Sequence, residues 1–286
     1  MNALMLGSHS SSPLTVLAQR ADAEPGANQL RVRIEAAAFN PLDSKIAAGA
    51  MQDWFPIQFP YTPGTDFAGI VDKTGDGVVG FAAGDPVFGR SNPTDGGAIA
   101  THIIVSAELV ALRPSTVSAA TAACLPTPAG IALQGIKALG RGADAPFLVL
   151  GDGAVAHAAK AIGGNAATLV ASVEQLKTAP KAHYVFDAAG GALQQAALES
   201  LAPGAVMVAI SAPVEQDIAA RLGVEASFAV LETSASQLQE LGRLAATGVL
   251  GPKPDRVIKF DEAAAAFDRY VSREWSGKII VMGESA

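Results

Sequence analysis

A chain of 286 residues with 50% hydrophobic and 16% charged residues can bury a sizeable core, which excludes disordered and fibrous classes. Its net charge of −7 leaves no basic stripe to neutralise phosphates, so nucleic acid is excluded as a partner. The single cysteine, Cys124, excludes an internal disulfide and a thiolate zinc cluster, and is expected to be a small core residue.

In chain order, residues 1–7 carry an apolar run that is too short, and too poor in basic residues, for a secretory leader. No later stretch approaches the roughly 18 apolar residues of a membrane helix. A cytoplasmic protein without membrane contact is expected. Residues 1 to about 120 alternate short β-like runs (30–34, 69–71, 86–89 and 100–105) with Gly, Pro and Asp clusters, which predicts a compact β-barrel-like domain. A helix is predicted over 40–48, with Pro41 in its first turn.

From about Ala119 the texture changes to Ala-rich helices between short apolar strands. Strands are predicted at 147–150, 167–171, 183–186 and 205–210, with a further one near Phe228. Helices are predicted from the turn at 151–153 to about 162, and at 193–201 and 236–247. Such alternation implies a parallel sheet with right-handed crossovers. The tail (257–258, a helix at 261–273, then 278–281) returns to β character and is read as completing the first domain or closing the interface. The expected class is therefore α/β, with residues 1–120 and 252–286 in one domain and 121–251 in the other.

The sharpest local signal is the strand ending at Leu150 that runs through Gly151-Asp152-Gly153 into Ala154, Val155 and Ala156. It matches G-x-G-x-x-A. Gly151 permits the tight turn, Gly153 lets backbone approach a pyrophosphate, and Ala156 allows close helix–strand packing. Asp152 opposes a diphosphate by its charge. The second strand ends at Ser172, where an NAD-specific site would place Asp or Glu. Either Ser172, with Lys177 nearby, meets the 2′-phosphate of NADPH, or it caps the next helix.

Several segments in order carry a family resemblance: 38–45 (Ala-Phe-Asn-Pro-Leu-Asp-Ser-Lys), 63–71 (Pro-Gly-Thr-Asp-Phe-Ala-Gly-Ile-Val), 84–89 (Gly-Asp-Pro-Val-Phe-Gly), 95–100, 125–130, 186–191 and 277–281. Together they resemble the medium-chain dehydrogenase/reductase superfamily, in its zinc-free, zeta-crystallin-like quinone oxidoreductase type. The resemblance implies a GroES-like barrel plus a Rossmann domain with the active site between them. It also implies NADPH-dependent hydride transfer to a quinone or enone, and commonly a homodimer.

Two departures qualify it. Asn40 and Thr65-Asp66 stand where zinc-dependent relatives carry ligands, and the histidines at 9, 102, 157 and 183 lack ligand spacing, so no metal is assigned. Between Ser172 and His183 there is room for only a turn or two of helix, so one βα unit is missing, on the adenosine side of the sheet.

By resemblance, Asn40 is the expected catalytic residue, donating from its amide to a substrate oxygen near the nicotinamide; otherwise it is a helix N-cap, and both can hold. Asp43 is expected to fix local backbone. Thr127 either lies beside the nicotinamide or is a turn hydroxyl. Asp187 is expected to tie the loop passing the cofactor, and Ala188, Gly190 and Ser211 lie after strand ends where ligands bind. Lys278 either approaches a phosphate or is a solvated strand residue, the second being the preferred reading, and His157 is read as a surface or packing residue. Trp54, Phe55 and Phe59 either line a substrate mouth or pack in the core. A different class of function also stands: a degenerate reductase fold that binds a small molecule or partner without hydride chemistry.

Overall fold

The computed structural model describes residues 1–11 and 15–284. The chain forms two compact units, Met1–Thr127 with Thr233–Ala286, and Pro128–Glu232.

In the first unit, β1 (Asn2–Met5) and β2 (Val16–Gln19) form an antiparallel pair. The long strand β3 (Gln29–Ala38) follows, and its alternation buries Leu30, Val32 and Ile34 on one face. Helix α1 (Pro41–Ala47) leads to β4 (Asp66–Thr74), β5 (Pro86–Arg90), β6 (His102–Ser106) and β7 (Val110–Leu112). The short helix α2 (Ala119–Ala123) comes next, and α3 (Pro126–Ala138) carries the chain out of the unit.

The second unit alternates strand and helix: β8 (Phe147–Leu150), α4 (Ala154–Gly163), β9 (Ala167–Val170), α5 (Val173–Thr178), β10 (Tyr184–Asp187), α6 (Gly191–Ser200), β11 (Val206–Ala209), α7 (Gln216–Leu222) and β12 (Glu225–Phe228). All its strand pairs are parallel, in the order β12-β11-β10-β8-β9. β8 is wholly apolar and buried, as a central parallel strand must be. This is a doubly wound sheet without the strand that normally flanks β9, which is left at the edge. The six residues of α5 are the whole crossover from β9 to β10 apart from its loops, so the shortening expected from the sequence is present.

The chain then returns to the first unit with α8 (Ala235–Ala246), β13 (Arg256–Lys259), α9 (Ala263–Val271) and β14 (Ile279–Met282). β14 joins β3, completing a seven-stranded sheet in the path β13-β14-β3-β4-β5-β7 with β6 on β3. The tail strands β13 and β14 thus lie in this unit's sheet. Its core gathers Phe39, Phe67, Phe267, Ile99 and Val281.

Helix α8 differs from the expected division, which grouped it with the second unit. It packs on β7, and Gly242 lies against Phe88 and Pro114. Among the described residues no helix is long and apolar enough to cross a membrane.

Candidate functional site

The parallel strands of the second unit all present their carboxyl ends at one edge, which collects the predicted cofactor residues Gly151, Gly153, Ala154, Val155, Ser172, Ala188, Gly190 and Ser211, whereas Asn40 and Thr127 lie in the first unit. Strand order reverses about β8, placing the crevice between β8 and β10. There Gly151 adopts φ +115°, and a Cβ on it would meet Ala188 backbone at 3.4 Å. Gly190, φ +70°, packs against Ser211, whose hydroxyl donates to the Ala188 carbonyl at 2.7 Å. Asp187, fully buried, accepts from the Ala189 and Gly190 amides at 2.9 and 3.0 Å and from Gln194 at 2.7 Å. It ties this loop down as expected.

Gly153 is the N-cap of α4 and supplies no side-chain capping group. The first amides of a helix have no intrahelical partner, so Ala154 and Val155 open a helix end without a side-chain cap. Nothing lies within 4 Å of where a Gly153 Cβ would stand. Ala156 is buried against the sheet, as close helix–strand packing requires. Asp152 is exposed, and His157 holds its carboxylate at 3.0 Å. Ser172 caps α5 by accepting from the Gln175 amide at 3.2 Å. That bond uses a lone pair and leaves the hydroxyl hydrogen to donate.

A second constellation lies inside the first unit, and strand register builds it. Ala38 pairs with Ile280 and with Asp66, and Asp66 with Arg90. Carried two residues further, the first register sets Lys278 beside Asn40. The Lys278 ammonium donates to Asn40 Oδ1 at 2.7 Å and lies 3.6 Å from Asp66. Asn40 Nδ2 donates to Asp66 at 3.1 Å. Asp66, with no exposed surface, also accepts from the Thr127 hydroxyl at 2.6 Å and the Thr127 amide at 3.1 Å, so it caps the first turn of α3. Arg90 donates from Nε to the Thr127 hydroxyl at 3.0 Å.

Lys278 is thus a buried partner of Asn40 and Asp66, not the solvated strand residue expected. Asn40 occupies the N-cap position of α1, but its side chain makes no cap bond there. Asp43 fixes the turn instead, accepting from the Asn40 amide at 2.7 Å. Its other oxygen is buried without a partner, and burial pushes its carboxyl up to about 7. Asn40 keeps one amide hydrogen beyond the bond to Asp66.

Other expectations resolve locally. Cys124 is buried, and desolvation pushes its thiol up to about 11, away from nucleophilic use. Trp54 is 65% exposed and Phe59 38%, whereas Phe55 packs partly against the core. Among the described residues no group of three or more His, Cys, Asp or Glu could hold a metal ion. Sequence reasoning missed Arg90 and the roles of Asp66 and Lys278. Their only signal was charge at strand ends in an otherwise apolar texture.

Comparison with known proteins agrees with both units. Residues 26–115 match the alcohol dehydrogenase GroES-like domain, and residues 156–281 match the zinc-binding dehydrogenase family. A chloroplast envelope quinone oxidoreductase homolog of Arabidopsis thaliana is 38% identical over 140 residues, 46% of this chain and 43% of that protein. The NADPH-dependent alkenal/one oxidoreductase of the same plant is 31% identical over 162 residues, 52% of this chain and 42% of the relative. The chain thus spans less than half the length of either. The quinone oxidoreductase of Escherichia coli, solved with NADPH, superposes with a TM-score of 0.81 at 21% identity, covering 99% of this chain and all of the other, a likeness of fold. The chain belongs to the medium-chain dehydrogenase/reductase superfamily, in its quinone oxidoreductase type.

Proposed function

We propose that this chain is an NADPH-dependent reductase of quinones and α,β-unsaturated carbonyls that works without a metal, as a cytoplasmic homodimer. The observation that carries the reading is the helix end at α4, without a side-chain cap and set over an open glycine turn. An anion there meets free amides and the positive end of the helix dipole, and a Cβ at Gly153 would meet no atom within 4 Å, so the backbone there is open to an approaching group. The relatives named for quinone and for NADPH-dependent alkenal/one reduction support the same class.

When bound, the reduced nicotinamide supplies the hydride. The chain's residues bind and orient. Gly151, Gly153, Ala154 and Val155 would hold the diphosphate, and the hydroxyl of Ser172 would donate to a 2′-phosphate. Ala188, Gly190 and Ser211 would line the nicotinamide side of the crevice. Thr127 and Asn40 would serve at the reacting end, with the remaining Asn40 amide hydrogen offered to the oxygen that gains negative charge. Lys278 and Asp66 keep that amide in one orientation. Metal independence is supported by Lys278, whose ammonium already neutralises Asp66 beside Asn40. The homodimer rests on family resemblance, and the compartment on composition and charge.

Two observations favour a second reading, binding without redox chemistry: Asp152 adds negative charge at the turn, and β9 has no outer neighbour to wall the adenosine end. Loss of NADPH absorbance across a panel of simple quinones and enals separates the two. Substrate-dependent consumption is expected; clear NADPH binding with no consumption on any substrate removes the reductase claim.

A further inference from the structure

The chain crosses between its units twice, after Thr127 and before Thr233. Both of these residues are held by one side chain. Arg90, at the end of β5 and 6% exposed, donates from Nε to Thr127 Oγ1 at 3.0 Å and from Nη1 to Thr233 Oγ1 at 3.2 Å. Its Nε also lies 4.0 Å from Asp66, so the guanidinium is anchored to the sheet while it reaches both crossings. The second unit repeats the arrangement with a different residue. Gln134, two turns into α3 from Thr127, donates to the Val230 carbonyl at 2.6 Å and accepts from the Glu232 amide at 3.0 Å. Each crossing is therefore tied to the other on both sides of the boundary.

We propose that Arg90 and Gln134 are positioning residues that stitch the two crossings into one stiff double hinge, so that neither moves alone. The planar guanidinium suits this task because its donors leave in fixed, divergent directions, and lysine cannot reach two hydroxyls in this way. A primary amide suits the other end because it accepts and donates at once, matching a carbonyl and an N–H two residues apart. The threonine hydroxyls supply acceptors at the two residues of the first unit that flank the second unit in the chain. One consequence is specific: loosening one crossing loosens the other.

The test is amide hydrogen exchange by mass spectrometry on the full chain, without any ligand, in peptides covering 126–134 and 228–236. Thr233→Val removes one acceptor and leaves Asp66 and Thr127 untouched, and Gln134→Ala removes the stitch on the other side. Each variant is expected to speed exchange in both peptides by about tenfold, the loss of one strong hydrogen bond to local opening, with β8 unaffected. Thr233→Ser is expected to restore the wild-type pattern. Exchange that is unchanged, or faster only in the peptide carrying the substitution, would overturn the proposal. No readout needs NADPH, so failure of the functional reading leaves this result interpretable.

Discussion

The buried cluster around Asp66 and the glycine turn of α4 are the two polar places of consequence, and they are built on opposite principles. Asp66 is surrounded by donors, with Asn40, Thr127 and Lys278 directly upon it and Arg90 one step away. The turn at Gly151–Gly153 instead leaves helix amides without a side-chain cap and space where a side chain would stand. A site whose charges satisfy one another holds a geometry; a site with unfilled donors waits for a ligand. Substitutions should therefore cost stability in the first region and affinity in the second.

The largest effect is expected from Asp66→Ala. It strands two buried cations and frees the first turn of α3, and breaking a buried pair on one side costs about 3–5 kcal/mol. Urea unfolding at neutral pH measures it, and a loss below about 1 kcal/mol would show that the cluster is not structural.

Next comes Asp43. Its carboxyl, raised from 3.8 to about 7 by burial, keeps a proton in the folded state that the unfolded chain releases. Stability from this group is therefore full below about pH 4 and is lost as pH rises to about 7, on the order of 4 kcal/mol at 1.36 kcal/mol per pH unit. Asp43→Asn mimics the protonated form, so its stability relative to wild type should climb between pH 4 and 8. A parallel pair of pH profiles would contradict the burial argument.

In the open region, Gly153→Val should leave the melting temperature unchanged, since φ of −92° suits valine and no atom lies near, yet weaken NADPH at least about tenfold. Equal affinity would move the diphosphate elsewhere. The smallest effect is at Ser172. Alanine there removes the α5 cap, worth about 1 kcal/mol, and should lower the preference for NADPH over NADH by a few-fold in competitive titration. A stability loss with an unchanged preference would leave Ser172 a cap alone.

The fold was largely legible because its signals are local. The apolar run at 147–150 and the glycines after it define β8 and the turn to the residue. The absent βα unit could be counted from the spacing between Ser172 and His183. Strands β1, β2 and β7, three or four residues each, carry too little periodicity to stand out, and α7 was missed for the same reason. The cluster was legible only at Asn40. Lys278 lies 238 residues from it, and only the pairing of β14 with β3 turns an apparently solvated lysine into its partner. Arg90 shows the same limit: nothing near it in sequence announces that Thr127 and Thr233 meet on it.

Calorimetric titration of the wild-type chain with NADPH tests the central claim most directly. Saturable heat at one site per chain, lost in the Gly153→Val variant, is the predicted result. A flat trace at millimolar dinucleotide, with the protein folded, would contradict the account.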